Sequence, residues 1–77
     1  MVLDKIIALV AQQFTVDEDE LSEDTAFADL DAEELDITDL VYAVEDEFEI
    51  DISEEQANAL ETIADLADLV EAAMNAD

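Results

Sequence analysis

Carboxylates are the groups in this chain most able to do chemistry. Of its 77 residues, 25 are Asp or Glu and only one is Lys or Arg, and the chain contains no His and no Cys. It therefore offers no thiolate nucleophile, no imidazole base and no ordinary zinc site. Its carboxylates are paired along most of the sequence, so no single pair is marked as a general acid and base. The residue types predict a protein that is not an enzyme.

The segment from Asp29 to Leu40 has the length of a calcium-binding loop and a similar density of acidic residues. Such a loop has glycine at its sixth position and a bidentate glutamate at its twelfth. Here the sixth position is Glu34 and the twelfth is Leu40. The sequence therefore predicts no specific metal site, only weak and diffuse binding of cations.

The negative charge is large and unevenly distributed. The formal net charge is −24 at pH 7, and nineteen of the 25 acidic residues lie between Asp17 and Glu55. Binding to nucleic acid or to an anionic membrane requires basic groups, and Lys5 stands alone. We therefore expect basic patches of other proteins as partners, with no nucleic acid and no membrane. A solvated face, or adaptation to high salt, is the alternative explanation of the acids.

The spacing of apolar residues predicts an all-α fold. Helices are predicted at residues 2–14, 32–48, 54–59 and 63–75, the third being short. Residues 15–31 form a long first loop whose spaced apolar residues should hold it to the core. In the second helix the predicted core positions are Leu35, Leu40, Val41, Val44 and Phe48. These elements predict one four-helix bundle, a single domain over residues 1–77.

Capping signals precede three of these helices. Asp31 with Glu34, and Ser53 with Gln56, have the spacing of capping boxes, and Thr62 can cap the last helix. At the other end of the second helix, the acids of the sequence EDEFE lie near the negative pole of the helix dipole. That placement is unfavourable by about 0.3 to 1 kcal/mol each, and such a local cost favours a docking surface.

The stretch FADLDAEELDITDLVYAVEDEFEIDI, from Phe27 to Ile52, resembles the signature region of acyl carrier proteins. The helix order, the long first loop and the acidic second helix extend the resemblance over nearly the whole chain. The resemblance implies an acyl-carrier-protein-like four-helix bundle. It also implies a connection with fatty-acid metabolism. Separately, the longest apolar run near the N-terminus, at residues 6–11, is too short to span a membrane and shows no signal-peptide pattern, so we expect a cytoplasmic protein, and a monomer.

One position departs from the family pattern. In the family the second helix opens with Gly, a small residue and Asp-Ser-Leu, and the serine carries the phosphopantetheine arm. The resemblance places Asp31 at the glycine, Glu33 at the aspartate and Glu34 at the serine. A carboxylate cannot replace that alcohol, because its phosphoryl derivative is a labile mixed anhydride. We therefore expect no cofactor, with Glu34 either capping the helix or imitating the phosphate of a loaded carrier.

The resemblance further implies a recognition face on the second helix, where the family presents exposed apolar side chains to its enzymes. Tyr42, the only tyrosine, is either an exposed anchor on this face or a residue at the edge of the core. The predicted partner-binding residues are Glu33, Glu34, Leu35, Asp36, Thr38, Asp39, Tyr42, Glu45, Asp46 and Glu49.

Three functions remain open from the sequence. The first is an acidic interaction module that docks on basic patches of enzymes and carries no pantetheine. The second is a working acyl carrier protein of fatty-acid or polyketide-type metabolism that bears 4′-phosphopantetheine on another residue. The third is an acidic mimic of nucleic acid that blocks a basic groove.

Overall fold

The computed structural model describes residues 2–75 and contains four α-helices in that range. They are α1 (Val2–Phe14), α2 (Glu34–Phe48), α3 (Glu54–Asn58) and α4 (Ile63–Asn75). Two short 3₁₀ turns, Glu18–Glu20 and Phe27–Leu30, lie in the loop between α1 and α2. The predicted all-α fold with three longer helices and one short helix is confirmed. Within residues 2–75, no helix has the length and apolar content needed to cross a membrane.

The core is built by the three long helices. Their apolar stripes converge, and α1 packs against both α2 and α4. Full burial of one such apolar side chain stabilises the folded state by roughly 1.5 to 3 kcal/mol. The side chains with no exposed surface are Ile6 and Val10 of α1, Leu40 and Val44 of α2, and Ile63, Leu66 and Val70 of α4.

The long first loop is fastened to the core, as its apolar residues predicted. Leu21 and Phe27 are buried. The Phe27 N–H donates to the Glu61 carbonyl over 2.9 Å, and the Ile63 N–H donates to the Thr25 carbonyl over 3.0 Å. These bonds hold the loop against the start of α4. They also fix the position from which α2 begins.

The predicted start of α2, with Asp31 and Glu34 as its capping box, is wrong. Asp31 adopts the left-handed conformation, with φ 56° and ψ 33°, and ends the preceding 3₁₀ turn. An N-cap residue needs extended backbone, which Glu33 has at φ −97° and ψ 169°. Asp36 Oδ2 accepts the Glu33 N–H over 3.0 Å. The helix therefore begins at Glu34, two residues later than predicted.

The other two capping predictions are confirmed. Ser53 Oγ accepts the Gln56 N–H over 3.1 Å, and Gln56 Oε1 accepts the Ser53 N–H over 3.0 Å. Thr62 Oγ1 accepts the Asp65 N–H, and Asp65 Oδ2 accepts the Thr62 N–H. Helices α3 and α4 therefore begin where the sequence predicts, although α3 ends at Asn58, one residue early.

Between residues 2 and 75, three turns of this glycine-free chain use left-handed residues. Thr15, Asp31 and Glu49 have φ of 56°, 56° and 55°. After each one, a backbone N–H donates to a carbonyl five residues earlier: Val16 to Ala11, Ala32 to Phe27, and Ile50 to Glu45. Where a helix ends in this geometry, the left-handed residue is usually glycine, because glycine has no Cβ to clash. Glu49 is thus the residue at which α2 stops.

Candidate functional site

An exposed apolar pair marks one face of α2. Leu35 is 75% exposed and Tyr42 is 64% exposed. They are seven positions apart in the sequence, so they lie about two turns, or about 10.5 Å, apart along the same side of the helix. Of the two interpretations of Tyr42, the structure therefore favours the exposed side chain. A single exposed apolar side chain is common on protein surfaces, so what makes this face a candidate interaction surface is that two of them lie on the same side of one helix.

Leu35 was also predicted as a core position, and that part of the prediction is wrong. It is five positions from the fully buried Leu40, which places the two side chains about 140° apart around the helix. The core side of the first turn is taken instead by Ile37, which packs against the buried cluster. Leu35 is left entirely to the exposed face.

The polar residues predicted on this face differ in their surroundings. Asp39 is exposed, whereas Asp36 and Thr38 are half-buried. Asp36 is occupied by its bond to the Glu33 N–H, and the Thr38 hydroxyl donates to the Glu34 carbonyl over 3.0 Å. Asp36 and Thr38 thus stabilise the first turn of α2, whereas the Asp39 side chain has no bonding partner in the part of the chain that the structure describes.

Glu34 is the first residue of α2, and its side chain is exposed. Its carboxylate makes no hydrogen bond and no ion pair within residues 2–75. The capping interpretation of Glu34 is therefore wrong, because Glu33 and Asp36 occupy those positions. The alternative, a permanent negative charge held at the surface, stays a prediction.

Residues around Glu34 do not provide an alcohol for a phosphopantetheine arm. No serine or threonine occurs from Asp31 to Ile37. The nearest hydroxyl, on Thr38, lies one turn into the helix and bonds to the Glu34 carbonyl. Ser53 is engaged in capping α3. Because a carrier arm requires a phosphate ester, the side chains of this turn do not fit covalent attachment of the group.

At the end of α2, Glu45 has a structural role that the sequence did not reveal. Its side chain is half-buried, and its Oε2 accepts the Ile52 N–H over 2.9 Å. The bond joins the helix to the segment that leads into α3. Because the two residues are seven apart and in different elements, neither periodicity nor capping rules could have found it.

Glu47 also has a partner. Its Oε2 lies 3.5 Å from Lys5 Nζ of α1, and the two side chains are 44% and 60% exposed. A pair this exposed contributes little to stability, about 0 to 1 kcal/mol. Asp46 and Glu49 are exposed. The acidic cluster that was predicted as a docking surface is therefore divided: Glu45 and Glu47 have partners, whereas the side chains of Asp46 and Glu49 have none among residues 2–75.

A groove opens between α2 and α3 beside Glu34. Its volume is about 460 Å³. Sequence patterns did not predict it, since it depends on how α3 packs against α2. Among residues 2–75, no group of three or more acidic side chains is arranged to hold a metal ion.

Comparison with known proteins gives a consistent result. The family model described as "Phosphopantetheine attachment site" matches residues 4–70. An acyl carrier protein of Thermosynechococcus vestitus is 39% identical over 70 residues, which cover 90% of this chain and 86% of the relative. One from Sulfurovum is 39% identical over 69 residues, covering 88% and 92% of the two chains. The crystal structure of an acyl carrier protein from Thermotoga maritima superposes with a TM-score of 0.80 at 27% identity, covering 92% of this chain and 84% of that one.

Proposed function

Because the chain belongs to the acyl carrier protein family, we propose that it is a docking module of that family which carries no phosphopantetheine. Proteins of this family are carriers and not enzymes, and they interact with acyl-processing enzymes. The proposed module presents the exposed face of α2 to basic patches on such enzymes. The feature that carries the proposal is Glu34, a carboxylate at the position that the resemblance assigns to the attachment serine of the family.

The backbone around Glu34 supports this alignment. Asp31, placed at the family glycine, is in the left-handed conformation that favours glycine. Glu34 then follows three residues later and opens α2. A shifted alignment that recruited Thr38 would move the attachment point one turn into the helix, where the hydroxyl already bonds to a carbonyl.

The surface of α2 supports the docking part of the proposal. Leu35 and Tyr42 are exposed apolar side chains, and the exposed carboxylates of Glu34, Asp39 and Asp46 lie on the same helix. An apolar centre with charge around it suits a protein interface. A chain with a net charge of −24 also attracts a basic partner over long range, which accelerates encounter.

The experiment that tests the proposal is a modification assay. The purified chain is incubated with coenzyme A and a broad-specificity phosphopantetheinyl transferase, and its intact mass is measured. The expected result is an unchanged mass, because residue 34 has no hydroxyl. The matched control is Glu34→Ser, which we expect to gain the mass of one phosphopantetheine. A stoichiometric mass gain in the unaltered chain would refute the proposal.

The competing function is a working carrier modified at another residue. The match to a family model of phosphopantetheine attachment favours it. Peptide analysis of any modified product would distinguish the two functions, since a modified Ser22, Ser53 or threonine identifies the alternative carrier. Membership of a family of acyl carriers gives no support to the nucleic-acid mimic.

A further inference from the structure

The exposed side of α1 differs from the rest of the surface in charge. Residues 1–16 contain one acid, Asp4, and the only base of the chain, Lys5, so their formal side-chain charges cancel. Residues 17–77 contain the other 24 of the 25 acids and no base. A surface of net charge near zero therefore lies on a protein that is strongly negative elsewhere.

This side of α1 also has the residue spacing of a seam between two helices. Its centre is formed by residues at positions i, i+3, i+4 and i+7, namely Lys5, Ala8, Leu9 and Gln12. Such residues lie in line along one side of a helix. Ala8 is exposed and has only a methyl side chain, so the backbone of another helix can approach closely. Together with Glu47 of α2, these four residues line a groove of about 310 Å³.

The charges that line this groove compensate each other. Its two charged side chains are those of Lys5 and Glu47, and the Lys5 Nζ lies 3.5 Å from Glu47 Oε2. Four other grooves lie beside α2, α3 and α4, and each is lined by one or two carboxylates and no base. In a symmetric dimer the same surface of each copy is used, so those grooves would bring acid against acid. Of these five grooves, the one beside α1 is therefore the one that suits a second copy of the chain.

We propose that α1 pairs with α1 of a second copy of this chain, and that added salt promotes this dimer. Antiparallel pairing about the point between Ala8 and Leu9 puts Ala8 of each copy opposite Leu9 of the other. A small side chain then meets a large one. The same pairing puts Lys5 opposite Gln12, so the two ammonium groups do not meet. Apolar contact at the centre of a neutral seam stabilises the pair.

The salt dependence follows from the rest of the surface. Each copy carries a net charge of −24, almost all of it outside the seam, so the two copies repel each other at low ionic strength and the chain is a monomer. The screening length falls from about 10 Å at 0.1 M salt to about 3 Å at 1 M, which removes most of this repulsion. Salt should therefore strengthen the dimer, whereas it should weaken docking on a basic partner.

The dimer leaves the exposed apolar pair of α2 uncovered. Glu47, which lines the α1 groove, is five positions from Tyr42 and twelve from Leu35, or about 140° and about 120° around the helix. The exposed side of α2 thus points away from the seam. A dimer would present two such faces, and two linked docking sites bind a partner with two matching sites more tightly than one does.

The test is sedimentation equilibrium of the full chain at millimolar concentration, in about 0.05 M and about 0.5 M sodium chloride. We expect the average mass of one chain at low salt and a mass that approaches two chains at high salt. The dissociation constant of the dimer should fall at least about tenfold between the two conditions. A single-chain mass in both conditions, or a mass that grows beyond two chains, would overturn the proposal.

Two variants with the same charge test the position of the seam. Ala8→Glu puts a carboxylate at the centre of the seam in each copy, so this variant should remain a monomer at both salt concentrations. Ala72→Glu adds the same charge at an exposed residue of α4 and should keep the dimer at high salt. Both residues are exposed, and melting temperatures at low salt check that the folds are intact. Equal loss of the dimer in the two variants, or loss in Ala72→Glu alone, would overturn the proposal.

Amide chemical shifts of the ¹⁵N-labelled chain give an independent location for the contact. On dilution at high salt, we expect concentration-dependent shifts at Lys5, Ala8, Leu9 and Gln12. Shifts confined to Leu35 and Tyr42 would show that the copies associate through α2 instead, and would overturn the proposal. None of these measurements depends on residue 34, so the modification assay and the dimer are tested separately.

Discussion

Glu45 Oε2 accepts the backbone N–H of Ile52 over 2.9 Å and so joins the last turns of α2 to the segment before α3. The bond spans the helix stop at Glu49, whose left-handed conformation reverses the chain. Because α3 contributes no buried side chain of its own, this bond is one of the contacts that hold α3 in place. One wall of the groove beside Glu34 therefore depends on a residue at the opposite end of α2.

Replacing Glu45 by Ala should loosen this connection. Loss of a half-buried, charge-assisted hydrogen bond leaves the Ile52 N–H without its acceptor and should lower the free energy of unfolding by about 1 to 3 kcal/mol. Denaturant unfolding measures that loss, and hydrogen exchange at Ile52 should accelerate. Asp46→Ala is the matched control, because Asp46 is exposed and its substitution removes the same charge. Equal stability of the two variants would contradict the structural role of Glu45.

The left-handed residues offer a second prediction. Thr15 has φ 56° and a β-branched side chain, so its backbone is strained. Thr15→Gly should remove the clash with Cβ. Glycine loses more chain entropy on folding, which offsets part of this gain, so the free energy of unfolding should rise by a net amount of about 0.5 to 1 kcal/mol. Thr15→Ala keeps a Cβ and should give no such gain. A loss of stability in Thr15→Gly would show that this turn is not limited by backbone strain.

The elements that could be predicted from sequence are those with strong local signals. The apolar period predicted α1 at its observed bounds, and Thr62 with the following apolar stripe did the same for α4. The start of α2 was missed because Asp31 ends the preceding turn in a conformation that glycine would normally signal. With no glycine in the chain, that information is absent from the sequence.

Only part of the candidate site could be predicted from the sequence. The sequence left Tyr42 open between an exposed anchor and a residue at the edge of the core, and only the structure shows that it is exposed. The bond from Ile52 to Glu45, the pair of Lys5 with Glu47, and the groove beside Glu34 each join separate elements. Such contacts depend on tertiary packing, which no local pattern describes.

The third prediction concerns salt. Nineteen acidic residues between Asp17 and Glu55 repel one another, so added salt should raise the melting temperature by screening them. At about 0.15 M the screening length falls to about 8 Å, and most of the change should occur below that concentration. Asp19→Lys, at an exposed 3₁₀ position, should raise the melting temperature at low salt more than at high salt. A melting temperature independent of salt would contradict the repulsion.

The last prediction tests the docking face of α2 with the transferase as the partner. In the Glu34→Ser background, which restores the hydroxyl, the rate of modification reports how well the face docks. Adding Asp39→Lys should lower kcat/KM several-fold and flatten its dependence on salt, because the substitution reverses a charge that attracts a basic patch. Glu71→Lys makes the same charge change at an exposed residue of α4 and should have a smaller effect.

Tyr42→Ala in that same background should also lower kcat/KM, but with the salt dependence preserved, because it removes an uncharged anchor. Tyr42 is 64% exposed, so the substitution should leave the melting temperature nearly unchanged, which separates loss of docking from loss of fold. Asp39→Lys and Tyr42→Ala thus give different salt profiles if both residues meet the partner. Should neither reduce modification while Glu71→Lys does, the docking surface would lie on α4 and the assignment of the α2 face would be wrong.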